Sequence, residues 1–395
     1  MDVKQPLSRR RFVGGVATAL GVLGLRPDTS LFAQGRQGGA RRAGPSIEEY
    51  DAFAKLANNE NNYGPPKSVM DAMTSVWRYA NRYGYPDGGI VQAIAEHHGV
   101  KPENVLLGAG SGEILQVVGL TYLHGNKKVV GCDPTYATVY QTASGIKAEA
   151  IKIPLNKDYS QNIPAMIEAA NANASSVGLL YLVNPNNPTG MIIPAKDVDL
   201  AVKSVPKDMP ILIDEAYHHF VESPAYATSV PYVLEGRPVI IARTFSKIAA
   251  LAGMRLGYAI APAEVIQKMR AYSISSINAL VKHGAVASLK DTAGQAEMKA
   301  KINGTKKTYV QMLEAYGYPV IPSDANFFMV SLGGREVQPV IEEFRAKGVL
   351  VGRPFPPMTQ HLRVSVGMPE EMDRFMTGFK EIFPQKKAAT MANQA

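Results

Sequence analysis

Short apolar runs separated by segments of helical period fill the middle of the chain and restrict its fold more than any other feature. NVLLG (104–108), KVVGC (128–132), SVGLLYLV (176–183), PILIDEA (210–216), PVIIAR (238–243) and RLGYAIA (255–261) are rich in β-branched residues and bounded by polar, Gly or Pro residues. Between them, residues 113–122 and 195–204 place apolar side chains at the spacing of one helix face. A strand that is apolar along its whole length needs cover on both sides, which crossover helices supply. The pattern therefore predicts an α/β fold, a mainly parallel sheet covered by helices, over residues 90–285.

Past residue 285 the pattern changes. A long polar, Lys-rich helical stretch at 291–316 leads to NFFMVSL, VQPVIEEFRAKG, LRVSVG and a final helix near 370–382. These predict a smaller α+β domain over 286–385 and a tail, 386–395. Residues 47–89 read as an N-terminal arm and the start of that smaller domain.

The net charge of +8 looks at first like a nucleic-acid binder. Residues 1–43, however, carry eight Lys/Arg and two Asp, so the rest of the chain is only +2. No basic stripe for a phosphate backbone is expected. The charge instead marks a segment with its own logic: Arg9, Arg10 and Arg11 precede a 14-residue apolar stretch at 12–25. That is too short to cross a bilayer and too Gly-rich for a stable core helix. SRRRF resembles the twin-arginine export signal of bacteria. Residues 1–33 are thus expected to be a signal peptide, with cleavage near Ala33, and 34–46 a Gly/Arg-rich linker. A periplasmic, exported protein follows from that reading.

The single cysteine, Cys132, excludes an intrachain disulfide and reads as a small buried hydrophobe. The histidines include two adjacent pairs, His97-His98 and His218-His219. Sequence neighbours point apart on a helix or strand, so neither pair has the spacing of a metal site, and no metal is expected.

In a doubly wound sheet, ligands sit beyond the carboxyl ends of the strands. GAGSGEIL follows the first of the runs above and opens a helix, so the amides of Gly110, Ser111 and Gly112 can face an anion. The dinucleotide fingerprint is excluded, because its third glycine would fall at Glu113. DPTYATVY places the aromatic Tyr136 after the next strand, and NPNNPTG (184–190) follows the one after that. LIDEAYHHF ends an apolar strand in Asp214, Glu215 and Tyr217, where a carboxylate is costly without a cation or hydrogen bonds. Lys247 follows the turn Thr244-Phe245-Ser246, and Arg255 adds a second cation with a fork suited to phosphate.

A phosphate cradle, a flat-ring platform, a carboxylate, a phenol and an amine match pyridoxal 5'-phosphate (PLP). Its pyridinium nitrogen needs an anion, its 3-oxygen needs donors, and its aldehyde needs a lysine. Here the chain resembles the fold type I aminotransferases, and in particular the histidinol-phosphate aminotransferase family. The resemblance runs through LANNENNYGPP (56–66), GYPDG, GAGSGE, DPTYATVY, NPNNPTG, IDEAY, TFSK, GMRLGY, DANFF and LRVSVG, covering nearly everything after residue 50. It implies a large PLP-binding domain with a smaller C-terminal one.

It further implies that Lys247 holds the cofactor as a Schiff base and shuttles the substrate proton. Asp214 would pair with the pyridinium, Asn187 and Tyr217 with the 3-oxygen, and Tyr136 would stack on the ring. Ser111, Gly112, Thr244, Ser246 and Arg255 would bind the phosphate. Tyr85 would reach the phosphate of a neighbouring subunit, implying a homodimer. Arg363 would hold the substrate carboxylate, with Arg353 and Asn61 as further substrate contacts. NRYGYPDG is two residues longer than the usual form, so Tyr83 competes with Tyr85, and Asn62 stands where proline is common. The implied activity is ping-pong amino transfer to a 2-oxo acid, and the expected export points to a neutral or aromatic amino acid rather than histidinol phosphate as its partner. The alternatives are a decarboxylase of the phosphothreonine type, which keeps the cofactor, and an exported amino-acid or PLP-binding protein without turnover.

Overall fold

Each apolar run read as a strand is one. The computed structural model describes residues 46–274 and 276–386, so the expected signal peptide and nearly all of the linker and tail lie outside the described residues. After a short strand, β1 (Ala54–Leu56), a seven-stranded sheet is built from β2 (Val105–Gly108), β3 (Lys128–Asp133), β4 (Ala150–Pro154), β5 (Val177–Val183), β6 (Ile211–Asp214), β7 (Val239–Thr244) and β8 (Gly257–Ile260). The order across the sheet is β2-β8-β7-β6-β5-β3-β4. β8 runs antiparallel to both its neighbours, and the remaining pairs are parallel. Strand β4 is the one the apolar pattern missed. It is an edge strand, and its half-exposed Lys152, 3.7 Å from Asp133, breaks the apolar run.

The central strands explain the continuous runs. Alternate residues of β5 feed different cores: Leu180 and Leu182 join the cluster on one face, while Leu179, Tyr181 and Val183 join the other. In β6 and β7, Ile213 and Ile241 share the first face, Leu212 and Ala242 the second. The same period of two sends Asp214 and Thr244 to the second face and Arg243 to the first.

The smaller layer pairs β1 in parallel with β11 (Val349–Val351) and sets β9 (Val320–Ile321), β10 (Phe327–Ser331) and β12 (His361–Ser365) antiparallel, with β10 central. Phe327, Phe344, Phe375 and Phe379, all fully buried, fill its core. The boundary expected at 285 falls inside the helix Ala279–Lys290, whose Val281, Ala285 and Leu289 belong to the core of the large sheet. The long helix starts after it, at Thr292, where the Asp291 carboxylate accepts a hydrogen bond from the Gly294 N–H at 2.9 Å. Residues 47–89 also divide: Leu56 packs into the smaller core and Val69 into the larger.

Candidate active site

The carboxyl ends of β2, β5, β6 and β7, the loop 57–60 and strand β12 converge on a cavity of about 440 Å³. Asp214 ends β6 and is 3% exposed. Its carboxylate accepts the Ala216 N–H at 3.1 Å, and no cation pairs with it among the described residues. Burial, reinforced by the adjacent Glu215, pushes its carboxyl up to about 7. An acid in this position waits for a buried cationic partner. Glu215, its sequence neighbour, already has one in Arg243 at 2.6 Å on the opposite face of the sheet.

Lys247 reaches into the same cavity, where its Nζ donates to the carbonyls of Asn59 (2.8 Å) and Asn58 (3.3 Å). Burial, then Arg363 and Arg255, pull its amine down to about 8, with Glu60 opposing. Its amine is lodged among carbonyls rather than held out in solvent, the setting of an activated amine and not of a surface stem.

Two guanidinium groups define the ends of the cavity. Arg255 adopts a left-handed backbone (φ 56°), which turns its side chain back toward the loop before the helix Ser111–Tyr122. It donates to the carbonyls of Ala252 (2.8 Å) and Ala109 (3.3 Å) and lies 3.5 Å from Ser246 Oγ. The turn is tied by Thr244 Oγ1, which accepts the Ser246 N–H at 3.0 Å. Gly110 does not line the cavity but makes it possible: with φ 80°, any Cβ there would lie 2.2 Å from Arg255 Nη2. Ser111 and Gly112 present the helix N-terminus beside these groups, a set of donors suited to one phosphate.

At the other end, Arg363 of β12 donates to Asn187 Oδ1 (2.7 Å) and to the Ala57 carbonyl (2.6 Å). Its buried Nε has no partner among the described residues. Burial lowers it to about 10, opposed by Tyr217 and assisted by Arg353. Both Arg353 and Arg363 stack on the Phe355 ring, at 4.4 and 4.6 Å. Tyr217 Oη accepts from Asn59 Nδ2 (3.0 Å) and lies 3.5 Å from Asn187 Nδ2. Burial raises this phenol to about 12, so it stays protonated at neutral pH. Tyr136, 37% exposed, offers its ring from the loop after β3.

Two expected residues stand elsewhere. Asn61 is a correction: its Nδ2 donates to the Ile248 carbonyl and its Oδ1 accepts from the Tyr63 N–H, so its polar atoms serve the loop and it does not line the cavity. Tyr85 also lies outside this cavity, stacked on Tyr79 at 4.0 Å, while Tyr83 is fully exposed. Asn62, in place of a proline, ties the loop to Lys55 O and Glu371. The histidine pairs do not point apart either: rings of His97 and His98 are 4.7 Å apart, those of His218 and His219 3.7 Å.

The residues missed are Asn58, Asn59 and Glu60, all on the cavity wall. Asn59 is the center of this loop: buried, with φ 54°, it bonds Tyr217 and exchanges hydrogen bonds with Ser365. Asparagine tolerates the left-handed region better than most residues, which was the available signal in the NNEN run.

A buried acid lacking a cation, an amine of lowered pKa, a phosphate cradle and an orphaned guanidinium N–H fit PLP and an amino-acid carboxylate. The pattern of the family described as aminotransferase class I and II matches residues 52–379. The chain is 35% identical over 337 residues to a histidinol-phosphate aminotransferase of Moorella thermoacetica, covering 83% of this chain and 85% of that one. It is 34% identical over 340 residues to an aromatic amino acid aminotransferase of Rhodococcus jostii, covering 83% and 90%. The fold matches the histidinol-phosphate aminotransferase of Sinorhizobium meliloti, solved in complex with PLP, with a TM-score of 0.77 at 23% identity, over 91% of this chain and 98% of the other. The chain belongs to the class I and II aminotransferase family, and is an aminotransferase whose cofactor is pyridoxal 5'-phosphate.

Proposed function

We propose that the enzyme moves an amino group between a neutral or aromatic amino acid and a 2-oxo acid. The observation that carries this reading is the convergence of Lys247, Asp214 and the buried Arg363 on one cavity. PLP, when bound, supplies an aldehyde that captures amines and an electron sink for the carbanion at the substrate Cα. Asp214 keeps the cofactor nitrogen protonated, and Asn187 and Tyr217 hold the 3-oxygen. Ser111, Gly112, Thr244, Ser246 and Arg255 hold the phosphate, while Tyr136 covers the ring. Lys247 would be the base that takes the proton from the substrate Cα and the acid that gives it back. Arg363 clamps the substrate carboxylate.

An aromatic side chain is supported by Arg353, a flat cation on the cavity wall that is held by its stack on the Phe355 ring. Both relatives above, a histidinol-phosphate aminotransferase and an aromatic amino acid aminotransferase, are named for substrates with a ring. Export through the signal-like residues 1–33 favours the amino acid over the phosphorylated alcohol, because phosphorylated intermediates are kept in the cytoplasm. A homodimer, in which Tyr85 serves the partner subunit, is supported by Trp77, Met70 and Tyr83, large apolar groups left exposed on one stretch of chain.

The test is a panel of amino donors with 2-oxoglutarate. Aromatic donors should give their 2-oxo acids with no carbon dioxide, and Lys247→Ala should give neither. Preference for histidinol phosphate, or carbon dioxide release, would overturn the substrate or the reaction class. Sedimentation reports the dimer, and cell fractionation the export.

A further inference from the structure

The two histidine pairs are the sequence feature that the site does not absorb, and the fold brings them to one place. His97 and His98 end the helix Ile90–His98, and His218 and His219 form the turn after β6. Between them, on the sheet face opposite the cavity, stands Arg243, 3% exposed. Its Nε and Nη2 donate to Glu215 Oε2 at 3.1 and 2.6 Å, Nη2 also to Thr228 Oγ1 at 2.7 Å, and Nη1 to His98 Nδ1 at 3.1 Å. Glu215 Oε1 accepts the Ser229 N–H at 2.9 Å.

Hydrogen-bond chemistry constrains the imidazole protons. A guanidinium only donates, so Arg243 Nη1, 3.1 Å from His98 Nδ1 and 3.5 Å from Nε2, faces a neutral imidazole, whose Nε2 lies 2.8 Å from Tyr258 Oη. A carbonyl only accepts, so His218 Nδ1 carries the proton it gives to Glu215 O at 2.7 Å. Burial, then Arg243, keeps the His98 and His219 imidazoles neutral down to about 2 and 3. The imidazoles therefore do not compete for the Glu215 charge. Burial, then Arg243, also lowers His97, while the phenols of Tyr226 and Tyr258, which face Arg243 too, are raised by burial and stay neutral.

This cluster grips the chain where it leaves the sheet. The Glu215 N–H donates to Ala242 O at 2.9 Å, and the side chain of Glu215 turns to Arg243 while Asp214 and Tyr217, on either side of it, line the cavity. We propose that Arg243 is the positioning residue for Asp214: by neutralising Glu215 and anchoring it with His98, it fixes the segment 214–217 and lets the cavity-facing carboxylate ionise toward PLP. An unneutralised Glu215 would stand as a second buried anion one residue away and hold Asp214 in its protonated form. The inference rests on the proposed pairing of Asp214 with the cofactor.

The test titrates apoprotein variants with PLP and follows the Kd against pH. Arg243→Met should weaken PLP binding by about threefold at pH 7.5 and by up to about tenfold well below pH 7, corresponding to about one pH unit of change at Asp214, and move the midpoint of the binding profile upward. Arg243→Lys should restore most of the affinity. The double variant Glu215→Gln, Arg243→Met leaves no unpaired buried charge, so it should fold even if the single variant does not, and should return the midpoint to the wild-type value. A double variant with a midpoint as displaced as that of the single one, or an Arg243→Met protein with wild-type Kd and midpoint, overturns the proposal. Asp214→Asn is the control. If it binds PLP as wild type does, the assigned role of Asp214 fails and the proposal with it; if it binds weakly while Arg243→Met does not, only the proposal fails.

Discussion

Asp214→Asn should stabilise the apoprotein while weakening its hold on the cofactor. Asparagine keeps the shape and the acceptor for the Ala216 N–H, and removes only the ionisation. In the folded chain, burial first and Glu215 next raise this carboxyl from 3.8 to about 7. As pH rises through that window, the unfolded chain releases its proton while the folded chain retains it, so stability falls, and the loss is complete above the folded value. About three pH units at about 1.36 kcal/mol each amount to about 4 kcal/mol. The asparagine variant escapes this penalty. Urea denaturation of the two apoproteins should show little difference near pH 4.5 and an advantage for the variant of up to about 4 kcal/mol near pH 8. Saturating PLP should reverse the order, since only the carboxylate gains an ionic partner. A gap that does not change with pH, or an apo variant less stable at pH 8, would refute the reasoning that burial strains Asp214.

Two other outcomes test the site. Acylation of Lys247 in the apoprotein should follow an amine titrating near 8 rather than near 10.5, because burial and Arg363 favour its neutral form; quantitative mass spectrometry of labelled peptides at a series of pH values reads this directly. Gly110→Ala should drive Arg255 from its place, since the added methyl would fall 2.2 Å from Nη2 at a φ of 80°. A loss of PLP affinity of about tenfold or more, seen in an absorbance titration, is expected.

The legible parts of the fold were those in which local pattern and tertiary burial agree. β5, β6 and β7 are covered on both faces, so their sequences are apolar without interruption and mark themselves. β4 carries Lys152 at a sheet edge and does not. The helix Ala279–Lys290 reads the same whichever core it joins; only its contact with the helices Lys67–Ser75 and Ile90–His98 assigns it to the larger one. In the site, the groups after strand ends were legible because topology dictates where a doubly wound sheet puts its ligands. Asn61 and Asn59 are two residues apart in a polar run, and no periodicity says which faces inward. The φ of 54° at Asn59 decides it.

The sequence by itself thus determined the strand series and marked Lys247, Asp214 and Arg255 as candidate site residues, because topology places ligands past strand ends; the run of motifs from LANNENNYGPP to LRVSVG carried the resemblance to PLP aminotransferases. Tertiary structure alone decided which of two adjacent carboxylates is paired. Asp214 and Glu215 are chemically similar and consecutive, yet the sheet sends one to the cavity, where no cation pairs with it among the described residues, and the other to Arg243. It also drew together His98 and His218, 120 positions apart, around that arginine. Charge compensation acts through space over a few ångströms, and spacing along the chain carries no record of it.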